Sequence, residues 1–129
     1  MKFAVYLILL AIVWGCNGQT LLDEMQAVVP IYKPGKILQT KNLPGENMSI
    51  IQYELDSTEA TEKSLINFYK SSMVHKGWKL EKLKKYPGNG SIFSFSKEES
   101  PILSVQVITR GIKQSGKIKV VLNFSREAV

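Results

Sequence analysis

The chain has little cysteine and little histidine. Its 129 residues include one cysteine, Cys16, and one histidine, His75. A single cysteine excludes a disulfide bond within the chain and a zinc site built from several of its thiolates. A single histidine excludes a metal site built from several of its imidazoles. We therefore expect no metal and no other cofactor.

Long hydrophobic runs are scarce as well. The longest is the uncharged stretch 3–14, about 12 residues, whereas a transmembrane helix needs about 20. Hydrophobic residues make up 44% of the chain and charged residues 22%, which is usual for a globular domain. These values argue against a disordered chain and against a multi-span membrane protein.

The first residues have the pattern of an export signal. Lys2 provides a positive charge, the apolar stretch 3–14 follows, and Val13-Trp14-Gly15-Cys16 ends it. This end resembles the signal of bacterial lipoproteins, in which an aliphatic residue, a small residue and Gly or Ala precede the cysteine. Val13, Gly15 and Cys16 match that pattern, and Trp14 stands where a small residue is usual.

The resemblance implies cleavage after Gly15 and acylation of Cys16. Several acyl chains would hold a small domain on a membrane durably. An Asp after the cysteine would retain such a lipoprotein at the inner membrane. This chain has Asn17 there, so the resemblance implies that the protein is at the outer membrane rather than the inner one. Two alternatives stay open: an ordinary secretory signal with an incidental Cys16, which gives a secreted protein, and an uncleaved anchor.

The rest of the chain predicts one domain. We assign residues 1–15 to the signal peptide, 16–28 to a tether with a short helix, and 29–129 to a single α+β domain. The segment 17–47 has several Pro-Gly turns, so we expect it to be largely irregular and to pack on the domain. Apart from the short helix at 21–29, we predict no regular structure in it.

Alternating apolar residues predict strands at 48–55, 78–85, 91–97, 102–109 and 117–124. Between the first two, residues 57–76 have the apolar spacing of an amphipathic helix. Asp56 and Glu59 have the spacing of a capping box at its start, and Gly77 is the expected residue after its end. The order β-α-β-β-β-β with short connections predicts a two-layer α+β sandwich, a mainly antiparallel sheet of about five strands with the helix on one face.

The second face of the predicted sheet is mixed, because the positions that alternate with the apolar ones are partly polar. We expect the segment 17–47 to cover part of this face, and a partner is the alternative. Its polar candidates for binding are Gln52, Ser94, Gln106 and Lys119.

A second, looser pattern lies in the domain. It consists of Val29-Pro30-Ile31-Tyr32-Lys33-Pro34-Gly35-Lys36, then Phe68-Tyr69, then Gly77-Trp78. It is similar to a pattern in small uncharacterised bacterial envelope lipoproteins. Lys33 interrupts its Tyr-Pro pair. The resemblance implies an extracytoplasmic α+β module and carries no known catalytic residue.

Basic and aromatic residues are interleaved around the third predicted strand. Such a stretch can contact anionic lipid headgroups or nucleic acid, and an exported protein seldom meets nucleic acid. Lysines at a sheet edge also prevent edge-to-edge pairing, which needs no ligand. The candidate binding residues here are Lys76, Trp78, Lys79, Lys82, Lys84, Lys85 and Tyr86.

No catalytic constellation stands out. His75 lies near a predicted helix end, where it would be a surface residue unless a carboxylate and a nucleophile surround it. Gly88-Asn89-Gly90 precedes a predicted strand rather than a helix, so it does not have the pattern of a phosphate loop. The sequence thus favours a non-enzymatic, membrane-tethered envelope lipoprotein that binds an envelope protein or an anionic lipid. The alternatives are a small secreted enzyme that uses His75, and a lipid or small-ligand carrier with a cavity between sheet and helix.

Overall fold

A sheet of six antiparallel strands forms the centre of the molecule. The computed structural model describes residues 20–126, so the signal sequence and Cys16 lie outside the described residues. The strands are β1 (Lys36–Leu43), β2 (Met48–Asp56), β3 (Lys79–Tyr86), β4 (Gly90–Ser96), β5 (Ile102–Ile108) and β6 (Lys117–Ser125). The helices are α1 (Leu21–Val28), α2 (Glu62–His75) and α3 (Ile112–Ser115).

The predicted fold class is confirmed. The strands lie in the order β1-β2-β6-β5-β4-β3, and every neighbouring pair is antiparallel. Short connections join β3 to β6 as a meander, while α2 carries the chain from β2 to the distant edge strand β3. The last strand, β6, lies between β2 and β5 and so joins the β1–β2 pair to the rest of the sheet.

Strand β1 was not predicted, and the expectation that 17–47 is largely irregular was wrong for this part. Its first six residues are all exposed, so the strand has no buried face that would impose an alternating pattern. It pairs with β2 at the sheet edge, with a bulge between Ile37 and Gln39.

The helix α2 begins five residues later than Asp56 and Glu59 suggested. Its N-cap is Thr61, whose hydroxyl accepts from the Ser64 N–H at 3.0 Å, while the Ser64 hydroxyl accepts from the Thr61 N–H at 2.8 Å. Asp56 is instead the last residue of β2 and pairs with Lys117 at the start of β6. At the other end Gly77 has a φ of +92°, as expected for the residue that ends a helix.

Both α1 and α2 pack on one face of the sheet and form one core with it. Helix α1 lies against β1, β2 and β6, and α2 lies against β3 and β4. Met25 of α1 is fully buried, so the helix assigned to the tether is packed against the domain. The segment 20–47 therefore extends the sheet edge and fills the helix side, and the expectation that it covers the second face was wrong.

The helices of the described residues are short. None of those within 20–126 has both the length and the apolar character needed to cross a membrane.

Candidate functional site

The face of the sheet that points away from α1 and α2, called the open face below, collects most of the predicted binding residues. In antiparallel strands, directly paired residues share a face. One row of such pairs crosses the sheet from β2 to β3 and contains Gln52, Val121, Gln106, Ile92 and Lys84. The next row contains Ile50, Asn123, Ser104, Ser94 and Lys82. A third row places Lys119 opposite Glu54 and Ile108.

The two candidate surfaces are consequently parts of one face. Lys82 and Lys84 of the basic stretch point to the same side as Gln106 and Lys119. Tyr86 lies on this side too, and the Lys84 ammonium is 5.2 Å from its ring centre, within the range of a cation–π contact. Lys79, at the start of β3, pairs with Ser96 and also belongs to the open face, at the end of β3 opposite to Tyr86.

Three predicted residues of the basic stretch lie elsewhere. Trp78 is 5% exposed and packs against Phe124, so its assignment to a binding surface was wrong. The Lys76 ammonium donates to the carbonyl of Val28 at 2.5 Å, which joins the ends of α1 and α2. Lys85 pairs with the buried Ser91 and so points toward the helix side.

The open face contains a groove of about 520 Å³ at the end where β2 finishes and β6 begins. Its floor is the sheet, with Gln52 and Val121, and its wall is the connection from β5 to β6, with Arg110 and Gln114. A smaller depression of about 210 Å³ adjoins it, shares Ile108 and Arg110, and reaches Tyr86 and Ile92. The two together extend from the β5–β6 connection to the basic edge strand.

The charges that line the groove are all positive. They belong to Arg110, Lys117 and Lys119, and the lining includes no aspartate or glutamate. Lys117 forms an ion pair with Asp56, which raises the pKa of the lysine and lowers the pKa of the carboxyl through a hydrogen bond and opposite charge. Within residues 20–126, no hydrogen bond or ion pair engages the side chains of Arg110 and Lys119.

Sequence reasoning identified Gln52 and Lys119 but missed Arg110 and Gln114. Arg110 was detectable, because the even-numbered residues of β5 lie on the open face and Arg110 continues that parity beyond Ile108. Gln114 was not, since its position depends on α3, a four-residue helix inside a connection predicted to be a simple turn.

Several residues of the looser lipoprotein-like pattern contribute to the packing on the helix side. Tyr32 and Phe68 pack edge to face at 5.1 Å, and Phe68 and Tyr69 do so at 5.0 Å. The Tyr69 hydroxyl donates to the carbonyl of Pro30 at 2.9 Å and lies 2.6 Å from the Tyr53 hydroxyl. These contacts give the pattern a structural role in holding the segment before β1 against the core.

The two alternative functions depend on the surroundings of His75 and on the layer between the sheet and the helices. His75 is exposed, and no hydrogen bond or ion pair joins it to a carboxylate anywhere in 20–126. A carrier would need a cavity between sheet and helices, but fully buried aromatic side chains, among them Phe93, Phe95 and Phe124, fill that layer. The groove and the depression beside it both lie on the surface of the open face.

Among residues 20–126, no group of three or more histidine, cysteine, aspartate or glutamate side chains is arranged to hold a metal ion. Comparisons of the chain with protein-family models, with curated proteins and with solved structures find no match.

Proposed function

We propose that this protein is a lipid-anchored binding module of a bacterial cell envelope, attached through Cys16 and making its contacts through the open face. The anchor is supported by the signal-like start of the sequence, which ends at the chain's one cysteine. The binding role is supported by the exposure of the open face and by its mixture of amides, hydroxyls and cations.

The difference between the two faces of the sheet is the main support for a binding role. Its helix side is covered so completely that Tyr53, Phe93 and Val120 have no exposed surface. No element within residues 20–126 covers the open face, where aliphatic residues such as Ile50 and Val121 stay half-buried among polar neighbours. An uncovered sheet face with apolar and polar groups side by side is the kind of surface that proteins use for contacts.

The anchor is tested by the intact mass of the protein extracted from the membranes of its natural host. We expect a chain that starts at Cys16 and carries the added mass of two or three acyl chains. A Cys16→Ser variant should lose this mass and leave the membrane fraction. An unmodified chain in the soluble fraction would exclude the anchor and favour secretion.

The contact surface is tested by cross-linking in the host cell. A photoreactive amino acid at Gln106, in the centre of the open face, should give discrete cross-linked products. The matched control carries the same group at Lys70, an exposed position on α2. The proposal fails if Gln106 gives no products, or if both positions give the same set.

A further inference from the structure

The groove on the open face is lined by cationic side chains, and the carboxylates nearby lie outside its lining. Three cationic side chains line it, and only Lys117 has a carboxylate partner, Asp56, which lies outside the lining. Glu54 lies opposite Lys119 by strand register, and Glu54 and Glu59 both act on Lys117 through their opposite charge, but no ion pair within 4.0 Å joins Glu54 to Lys119. An anion in the groove would meet Arg110 and Lys119 without first breaking an existing ion pair.

The shape of the groove suits a small ligand with both charge and hydroxyl groups. Its volume of about 520 Å³ is within the range of small-molecule sites. The guanidinium of Arg110 can bind phosphate oxygens in a bidentate manner. The amides of Gln52 and Gln114 offer donors and acceptors for hydroxyl groups, and Val121 provides an apolar floor.

The position of the groove argues against headgroups of the anchoring membrane as its ligand. Thr20, the first described residue, lies near Met48 and Arg126, at the start of β2 and the end of β6. The groove lies toward the opposite ends of these strands, and β2 is about 26 Å long at the usual rise per residue. The four residues from Cys16 to Thr20 span at most about 14 Å, so the anchor attaches at the end away from the groove.

We infer that the groove binds a soluble, phosphate-bearing ligand of sugar-phosphate size through Arg110 and Lys119. This inference rests on the proposed function, since it takes the open face as the contact surface and names the chemistry recognised there. Lys117 also lines the groove, but its charge is already paired with Asp56, so it is not counted among the proposed contacts.

The test uses the purified full chain in a non-ionic detergent, titrated with glucose 1-phosphate and followed by the backbone amide signals in NMR spectra. We expect saturable shifts at Arg110, Gln114 and Lys119. Glucose at the same concentrations, and added sodium chloride at matched ionic strength, should leave these signals in place.

Paired variants assign the binding to the groove. Arg110→Gln with Lys119→Gln should weaken the affinity by at least about tenfold, because the variant loses two charge-assisted hydrogen bonds to the phosphate. The control, Lys63→Gln with Lys70→Gln, removes the same charge from exposed positions on α2 and should change the affinity by less than about twofold. Both side chains of the test pair are exposed, and circular dichroism checks that both double variants keep the fold.

Three results would overturn the inference: no shifts with glucose 1-phosphate, equal losses in the two double variants, or binding only to phosphatidylglycerol vesicles. The last would identify a lipid-docking face instead. None of these results depends on whether Cys16 is acylated in the host or on whether Gln106 cross-links. Failure of ligand binding in the groove can therefore be distinguished from failure of the proposed lipid anchor.

Discussion

At the scale of single residues, a chain of buried hydroxyl groups fixes the segment before β1. The Tyr69 hydroxyl donates to the carbonyl of Pro30, so the Tyr53 hydroxyl donates to Tyr69 and accepts from the Tyr32 N–H at 3.4 Å. Burial raises the pKa of Tyr53 to about 12 and raises the pKa of Tyr69 as well. Both groups stay protonated, which preserves the direction of the hydrogen bonds.

Tyr69→Phe interrupts this chain at its middle. The Tyr53 hydroxyl would lose the acceptor for its proton and the Pro30 carbonyl would lose its donor, and leaving such groups unsatisfied costs about 1–3 kcal/mol. The free energy of unfolding, measured in urea, should fall by that amount. Tyr86→Phe removes a hydroxyl from an exposed ring and should change it by less than about 0.5 kcal/mol. Equal stability of the two variants would show that the buried chain contributes nothing.

Gly90 is fixed by a close approach of backbones. Its φ is +127°, and a Cβ there would lie 1.8 Å from the carbonyl oxygen of Val107. Gly90→Ala should therefore disrupt the pairing of β4 with β5, with a loss of more than about 3 kcal/mol. Gly88→Ala in the same turn, with φ +80° and no atom within 4 Å of the added Cβ, should lose about 1 kcal/mol. Similar losses in urea unfolding would contradict a steric cause.

At the scale of elements, the start of α2 shows why a local motif can mislead. Asp56 has the right spacing to cap a helix, but Lys117 offers it an opposite charge from 61 residues away. No local pattern contains that partner. The Thr61 and Ser64 pair caps the helix instead and uses two hydroxyls without any carboxylate.

The Asp56–Lys117 pair predicts a pH dependence. Since Lys117 lowers the pKa of Asp56 below 3.8, the pair stabilises the fold above about pH 3.8, and this contribution is lost as the pH falls through the lowered value. Asp56→Asn should be less stable than the natural chain at pH 7, and the difference should disappear toward pH 2. Urea unfolding from pH 7 to pH 2 measures it.

The control for this prediction is Glu98→Gln, which changes an exposed carboxylate in the turn between β4 and β5. Its stability should follow that of the natural chain at every pH. The prediction is wrong if the difference between Asp56→Asn and the natural chain stays constant down to pH 2.

Burial determined how clearly a strand could be recognised. In β2, β5 and β6 nearly every second residue is buried, and this alternation is visible in the sequence. β1 and β3 are both almost entirely exposed; β3 was predicted and β1 was not, so exposure weakens the alternating pattern without removing it in every case. The groove was not predicted for another reason. Its shape depends on the register of β2 and β6 and on the path of the β5–β6 connection, and neither can be read from a local stretch of sequence.

At the scale of the whole molecule, the fold separates three regions. The helix side holds the core, the open face holds half-buried amides together with cations, and the two ends of the sheet differ. Thr20 and the ion pair of Glu24 with Arg126 lie at one end. The groove with Arg110 and Lys117 lies at the other. An anchor at Cys16 would thus hold the first end near the membrane.

This polarity can be measured in membranes that hold the acylated chain. Because acylation blocks Cys16, a fluorophore can be attached to a new cysteine, either Gly45→Cys in the turn near Thr20 or Lys113→Cys in α3. A quencher on the lipid headgroups should dim the first at least about twice as strongly, since β2 separates the two ends by about 26 Å. Both positions are exposed, so labelling should leave the fold intact. Equal quenching would contradict this polarity, because it would place the two ends of the sheet at the same distance from the lipid headgroups.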